Sequence, residues 1–482
     1  MAANCCCERR KTGCCRPAEI RWFAVARRVG HMPGMTDTPF SLDAAHDVIA
    51  RALAAGADAA EAVLSRRTAL SVSVRLGELE EVEREEARDL GLRVFIGRQQ
   101  AVVSASDLSE PTRERLVERA VAMARLAPED PFAGLAPQDR LAGRDTPDLD
   151  LFDPSDLSAA ELEDRARETE AVARAVPGVA KSDGGTAGLT TGDWALVTSH
   201  GFEGRHRGSA FSLSARVIAE RDGAMEIGGE GRSTRHLGDL ASPAEIGAVA
   251  GERAVAQLGA RKLSSRSAPI ILENRIATQI IGPLIGAIAG PAVARGVSFL
   301  KDRMGHQILS EAISLHDDPL RLRGLGSTPF DDEGVAVGPS RIVERGVLTS
   351  WLLNTAAAAQ LGLETTGHAS RGLAGPAGVS GHNLTIQPGE RDLAGLMADA
   401  GSGLLVTSMF GPSLNPNTGD WSAGISGQWF ENGQIVHAVN EVTIAGNLLD
   451  LYQRLVPGSD LELRSSHNSP SLLIDAVAIA GA

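Results

Sequence analysis

A chain of 482 residues, 43% hydrophobic and 22% charged, carries enough apolar material for two or three domains, each with its own core. Its formal net charge of -14 is interspersed instead of gathered in a tail, which argues against direct nucleic-acid binding. No apolar run approaches the roughly 20 residues of a membrane helix, so a soluble protein without membrane contact is expected. All five cysteines, Cys5, Cys6, Cys7, Cys14 and Cys15, lie in the first fifteen residues, so no disulfide framework can staple the body.

The same N-terminal stretch holds Arg9, Arg10, Lys11, Arg16, Arg21, Arg27 and Arg28 against Glu8 and Glu19, leaving the body more acidic than the whole. Residues 20–26 are too short, and too interrupted by Arg21, for a secretory signal. The cysteines lack the Cys-x-x-Cys spacing of a zinc cluster. Residues 1–34 are therefore expected to be a non-native or disordered extension, with Met32 or Met35 as the natural start.

Downstream, Ser41 and Asp43 are candidate caps for a helix whose Ala45, Val48, Ile49, Ala52 and Leu53 recur at helical spacing up to Gly56. Short strands are expected at 60–65 and 69–76. The acidic run 78–86 reads as a solvated strand or turn, and 92–96 with 101–104 as a hairpin around Gly97. Ser109-Glu110-Pro111 opens a helix to about Leu126, and 127–154 reads as a long connection. A helix over 157–176, with Ser155 or Ser158 as cap, stops at Pro177-Gly178. Short strands over 179–237 are expected to break at Gly184-Gly185, Gly192-Asp193, Gly201 and Asp222-Gly223. A helix over 243–258 precedes the polar linker 261–267 and an apolar strand at 269–272. Helical stretches near 273–290 and 349–361 then interrupt short strands and glycine turns.

Pro416 to Gly419 is turn chemistry, Trp421 to Phe430 alternates as a strand, Glu431-Asn432-Gly433 turns, and Gln434 to Ile444 returns. Helices and strands fall in blocks, which gives an α+β fold: a mixed N-terminal helix/sheet domain over 36–262 and a β-rich C-terminal domain over 263–482.

The run Asn415 to Asp450 resembles the carboxy-terminal signature of the TldD/PmbA family. Similar matches are Glu273-Asn274-Arg275-Ile276-Ala277-Thr278, Ala294-Arg295-Gly296-Val297-Ser298-Phe299-Leu300, Pro329-Phe330-Asp331-Asp332-Glu333-Gly334 and Leu352-Leu353-Asn354-Thr355. Ser469-Pro470-Ser471-Leu472-Leu473-Ile474 resembles the PmbA branch, also called TldE. The resemblance covers nearly all of Ser41 to Ala482. It implies a cytoplasmic role in metal-dependent proteolysis, under a family name that also includes modulators of DNA gyrase.

In the TldD branch the helix before the Arg-Gly-x-Ser stretch resembles zinc proteases in carrying His-Glu-x-x-x-His, two imidazoles for the metal and a Glu to activate water. Here it reads Ile281-Gly282-Pro283-Leu284-Ile285-Gly286, and no histidine occurs between His236 and His306. Gly282, Gly286 and Gly290 leave small surfaces at four-residue spacing, either for internal packing or for a close helix contact with a partner.

Weaker constellations are His200, His206 and His236 as metal ligands, Asp317-Asp318 or Asp331-Asp332-Glu333 for calcium or magnesium, and Ser380 with His382 and a distant Asp as a triad. Gly424-Ile425-Ser426-Gly427 and Gly378-Val379-Ser380-Gly381 both miss the Gly-x-Ser-x-Gly spacing, and no phosphate-binding glycine loop follows a strand. No catalytic, cofactor-binding or metal-binding residue is therefore assigned to this chain.

The reading that follows is a non-catalytic, metal-free TldE-like subunit of a heteromeric zinc metalloprotease. Zinc, ligands and base would come from a TldD-like partner, and peptides or unfolded proteins would be the substrates. Glycine-rich strands such as Gly424 to Phe430 would either bind an extended peptide at a sheet edge or form a closed internal hairpin. Trp421, Trp429 and Glu441 would belong to scaffold or interface. The alternatives are a homomeric peptide-binding or regulatory protein, with a homodimer possible for the isolated chain, and a hydrolase of unrecognised mechanism.

Overall fold

The computed structural model describes residues 40–481, and Leu42–Ala482 forms one unit. The proposed extension at 1–34 and the proposed start at Met32 or Met35 lie outside the described residues.

The first helix, α1 (Asp43–Ala54), buries Ala45, Val48, Ile49 and Ala52, and its N-cap position falls on Leu42, between the two expected cap residues. The polar residues Arg66-Arg67-Thr68 do not split the next segment. β1 (Ala59–Arg75) runs unbroken because Arg66 is paired across the sheet with Asp193 at 2.6 Å. β2 (Glu78–Ile96) starts as the solvated acidic run and ends buried, and turns at Gly97 into β3 (Gln99–Ala105). Pro111 sits in the first turn of α2 (Glu110–Leu126).

After the long connection comes α3 (Ala159–Ala175), then β4 (Val179–Thr198), β5 (Glu203–Arg221), β6 (Ala224–Thr234) and α4 (Pro243–Ala256). Ser158 with Glu161 and Ser242 with Glu245 make reciprocal capping boxes that fix the starts of α3 and α4. The expected breaks at Gly184-Gly185 and Gly192-Asp193 are absent from β4. Gly184, at φ 109°, takes up a register shift instead, and a Cβ there would lie 2.7 Å from the Val74 carbonyl. The sheet order is β3-β2-β1-β4-β5-β6, antiparallel throughout. α1 and α2 pack on its first strands, and α3 and α4 on its last.

The C-terminal half is built on β7 (Arg266–Leu272), parallel to Ser402–Leu414, which pairs with Asp420–Glu431 and then Gln434–Asn447. Leu472–Ala480 joins β7 to Gln434–Asn447 through Thr443↔Ala480, so the strands close into a ring at one end. Inside lie Ile270, Leu272, Val406, Ile425 and Ile444 with Ile276, Ile280 and Leu284 of α5 (Asn274–Ala287). Trp421 and Trp429 are buried in this core, whereas Glu441 is exposed and paired with Lys262 at 2.7 Å.

Because Gly424 to Phe430 is paired on both sides, it is an internal strand, and an added peptide strand has no edge there. The helix expected over 349–361 is confined to Thr355–Leu361. Before it, Leu352 exchanges backbone bonds with Ile288 and Gly290, and the Leu353 amide donates to Thr366. The architecture is α+β.

A five-stranded sheet, ordered Val347–Leu348, Ser340–Glu344, Leu315–Asp317, Leu384–Ile386 and His467–Asn468, lies beside the ring. Its centre positions the cluster described next. No helix among the described residues is long and apolar enough to cross a membrane.

Candidate functional site

α5 is the helix on which the TldD-branch motif would fall. It buries Ile276, Ala277, Ile280, Ile281, Leu284 and Ala287 and leaves Gly282 and Gly286 exposed. A Cβ at Gly282 or Gly286 would meet open space, whereas one at Gly290 would press on Leu353 and Ala357. Internal packing thus explains Gly290 and leaves the other two unpacked. With Ile281, Gly282, Leu284, Ile285 and Gly286 as its side chains, this turn offers no donor atom for a hydrolytic zinc. Since an exposed helical glycine carries a conformational cost, Gly286→Ala is expected to hold or raise stability, by up to about 1 kcal/mol, in urea unfolding.

The polar centre of the C-terminal half lies elsewhere. Asp317 ends a short strand and pairs in register with Leu384, two residues after His382, while His368 enters the strand Ala369–Ser370. Both imidazoles reach one carboxylate oxygen: His368 Nε2 is 3.0 Å and His382 Nδ1 2.8 Å from Asp317 Oδ2. The His382 amide donates to both Asp317 oxygens at 3.1 Å, and His368 Nδ1 lies 2.8 Å from Thr366 Oγ1. Relative exposures of 1% for Asp317, 3% for His368 and 8% for His382 place all three in the interior. Burial pushes the Asp317 carboxyl up, but hydrogen bonds from the two imidazoles and their charge outweigh it and hold the group well below the ordinary carboxylate range.

The sequence pointed to Asp317 and His382 in separate settings and missed His368. Asp318 takes no part in the cluster, its carboxylate accepting the Leu320 amide in a turn. Ser380 does not complete a triad, since its hydroxyl donates to the Gly381 carbonyl. A usable signal was present in Gly367-His368 and Gly381-His382, two Gly-His pairs each just ahead of a short strand.

Asp331, Asp332 and Glu333 come together in a buried turn, but their oxygens are committed to backbone amides. Asp331 accepts from Glu333, Val335 and Ala369, Asp332 from Arg371, and Glu333 from Thr355. Burial and the Glu333 charge push Asp331 up to about 8 against those amide bonds.

The three histidines His200, His206 and His236 do not share a site. His200 bridges Thr198 Oγ1 and the Ala136 carbonyl, and His236 lies 2.9 Å from the Asp150 carbonyl. His206 stacks on Trp194 with ring centroids 5.4 Å apart. It lines a cavity of about 260 Å³ together with Arg66, Asp193, Ser209 and Arg235. Burial first, and then the Arg235 charge, lower its pKa from 6.5 to about 4, with Asp193 opposing.

A neutral His206 in the folded chain has a consequence for acid stability. Below about pH 6.5 the unfolded chain takes up this proton first, so stability should fall between about 6.5 and 4 by up to about 3 kcal/mol. His206→Gln lacks that component, so the parent's urea midpoint should fall relative to the variant's as pH drops through this range.

Sequence comparison places these features in a known lineage. Family models match residues 60–124 (PmbA/TldA metallopeptidase domain 1), 152–258 (central domain) and 265–481 (C-terminal domain). Metalloprotease PmbA of Escherichia coli O157:H7 is 39% identical over 432 residues, spanning 89% of this chain and 94% of that protein. The chain belongs to the PmbA/TldD family, in its PmbA branch. The Haemophilus influenzae metalloprotease PmbA homolog is 37% identical over 430 residues, 89% of this chain and 93% of that one.

Among solved structures, a Bacteroides thetaiotaomicron protein named as a modulator of DNA gyrase superposes with a TM-score of 0.85 at 27% identity, covering 92% of this chain and all of that one. TldE of Thermococcus kodakarensis shares the fold, with a TM-score of 0.80 at 22% identity over 91% of this chain and 100% of that one. The protein is thus of PmbA/TldE metallopeptidase type. The catalytic metal that this family name implies does not fit the side chains of α5.

Proposed function

We propose that this PmbA-branch chain is the non-catalytic subunit of a two-chain metallopeptidase acting on peptides or unfolded proteins in the cytoplasm. The hydrolytic zinc, its histidine ligands and the glutamate base belong on this reading to a TldD-type partner. The observation that carries it is α5: residues 281–286 supply buried Ile281 and Leu284 and exposed Gly282 and Gly286, and neither a ligand nor a base. A metallopeptidase needs both a metal ligand set and a group to accept the water proton. The relatives named as metalloproteases support the peptidase setting. This chain's part is to complete the assembly and the path of the substrate.

Affinity isolation of this chain from its native cell, followed by mass spectrometry, tests the partnership. A TldD-type chain should co-purify. Recovery of this chain only with copies of itself would replace the proposal with a homomeric binding or regulatory protein.

A further inference from the structure

The cluster at Asp317 gathers its donors unevenly on the two carboxylate oxygens. Oδ2 is approached by three donors, the two imidazoles and the His382 amide, whereas Oδ1 is approached by the amide alone. Among the described residues this is the group of three histidine, cysteine or carboxylate side chains whose donor atoms all lie within 4.8 Å of one another. The donors come from three chain segments: Leu315–Asp317 pairs with Leu384–Ile386, and the His368 segment is tied in through the Ser380 amide, which donates to the His368 carbonyl at 3.0 Å. The aspartate is therefore fixed on a strand, and both imidazoles stand within two residues of one.

We propose that Asp317, His368 and His382 form a binding site for one divalent transition-metal ion, with zinc the best match. Two imidazole nitrogens and one carboxylate oxygen are a zinc-type donor set, whereas calcium and magnesium call for shells built from oxygen. Metal–ligand distances of about 2.0–2.1 Å put tetrahedral ligand atoms about 3.3 Å apart, so the observed 3.0 and 2.8 Å need widen by only a few tenths of an ångström. The Thr366 hydroxyl at the far nitrogen of His368 is the outer partner that fixes a ligating imidazole's orientation. One position is left for water. The ion is distinct from the hydrolytic zinc assigned above to the partner, and it departs from the expectation that this chain holds no metal.

The test uses the full chain with its five N-terminal cysteines changed to serine, which removes competing thiolates, after stripping with a chelator. Titration with Co²⁺ should give a visible d–d spectrum that saturates at one equivalent, and Zn²⁺ should displace it. An outer partner is worth about 10–100-fold in affinity. Thr366→Val should therefore weaken Zn²⁺ binding by about that factor, and His368→Gln and His382→Gln by at least about 100-fold. His46→Gln, at an exposed histidine, should leave it unchanged.

Circular dichroism and melting of the metal-free variants establish that each is folded. Absence of Zn²⁺ and Co²⁺ binding by the folded parent overturns the proposal and leaves a hydrogen-bonded His–Asp–His cluster. So does a full equivalent retained by both folded glutamine variants. Either result leaves the non-catalytic reading untouched, because that reading fails on peptide cleavage by the isolated chain and not on metal content at Asp317.

Discussion

Glu61→Gln is expected to destabilise the protein by about 3–5 kcal/mol, because it strips the counter-charge from two buried guanidinium groups. Glu61 is 1% exposed and lies on β1, where its Oε1 accepts from Arg93 Nη1 at 3.1 Å and from Arg371 Nη1. The Arg371 side chain is fully buried, and its Nε and Nη2 have no acceptor, which leaves the nearby Asp332 carboxylate to face its charge without a side-chain hydrogen bond. Arg93 retains Gln100 at 2.6 Å but only a distant Glu333 at 3.9 Å. The network joins the N-terminal sheet to the loop that follows His368. Gly91 of β2 shows how closely the two approach, since a Cβ there would lie 2.5 Å from the Leu373 carbonyl. Urea unfolding measures the loss. Arg371→Met in the Glu61→Gln background should recover part of it, because it removes one of the stranded charges.

Tyr452→Ala is expected to cost about 3–5 kcal/mol, as large aromatic truncations in a closed core do. Tyr452 is fully buried among the ring strands and α5, and its hydroxyl donates to the Ile280 carbonyl at 2.8 Å. Burial drives its phenol far above the ordinary range, so it stays protonated and keeps that bond at any working pH. Tyr452→Phe separates the two contributions. It keeps the ring and loses one hydrogen bond, for about 1 kcal/mol. The residue anchors α5 from the inside, so the helix is held in place although it carries no metal ligand.

Local chemistry made much of the fold legible. Ser109-Glu110-Pro111, the Ser158 cap, and Asn432-Gly433 at the hairpin turn each work within a few residues, and each stands where the sequence placed it. The errors came where distant partners override a local signal. Arg66 and Arg67 read as a break in β1, yet Arg66 meets Asp193 on the neighbouring strand. Gly184-Gly185 read as a turn, yet a long sheet absorbs it as a bulge.

The polar cluster was the least legible feature. His368 and His382 are separated by 51 and 65 positions from Asp317, and only long-range contacts, the pairing of Leu384 with Asp317 and the Ser380 amide bond to the His368 carbonyl, bring them together. The bare turn of α5 was legible in full, because the absence of a donor atom is a property of residue type and needs no fold to read it.

The central claim is that this PmbA-branch chain does not itself perform the cut, and peptide hydrolysis by three matched samples tests it most directly. An unfolded peptide is incubated with this chain alone, with its co-purified TldD-type partner alone, and with the two mixed, each with and without a zinc chelator. The prediction is no cleavage by this chain alone, and chelator-sensitive cleavage by the mixture that exceeds the partner's own. Cleavage by this chain alone, whether or not it survives chelation, would contradict the claim.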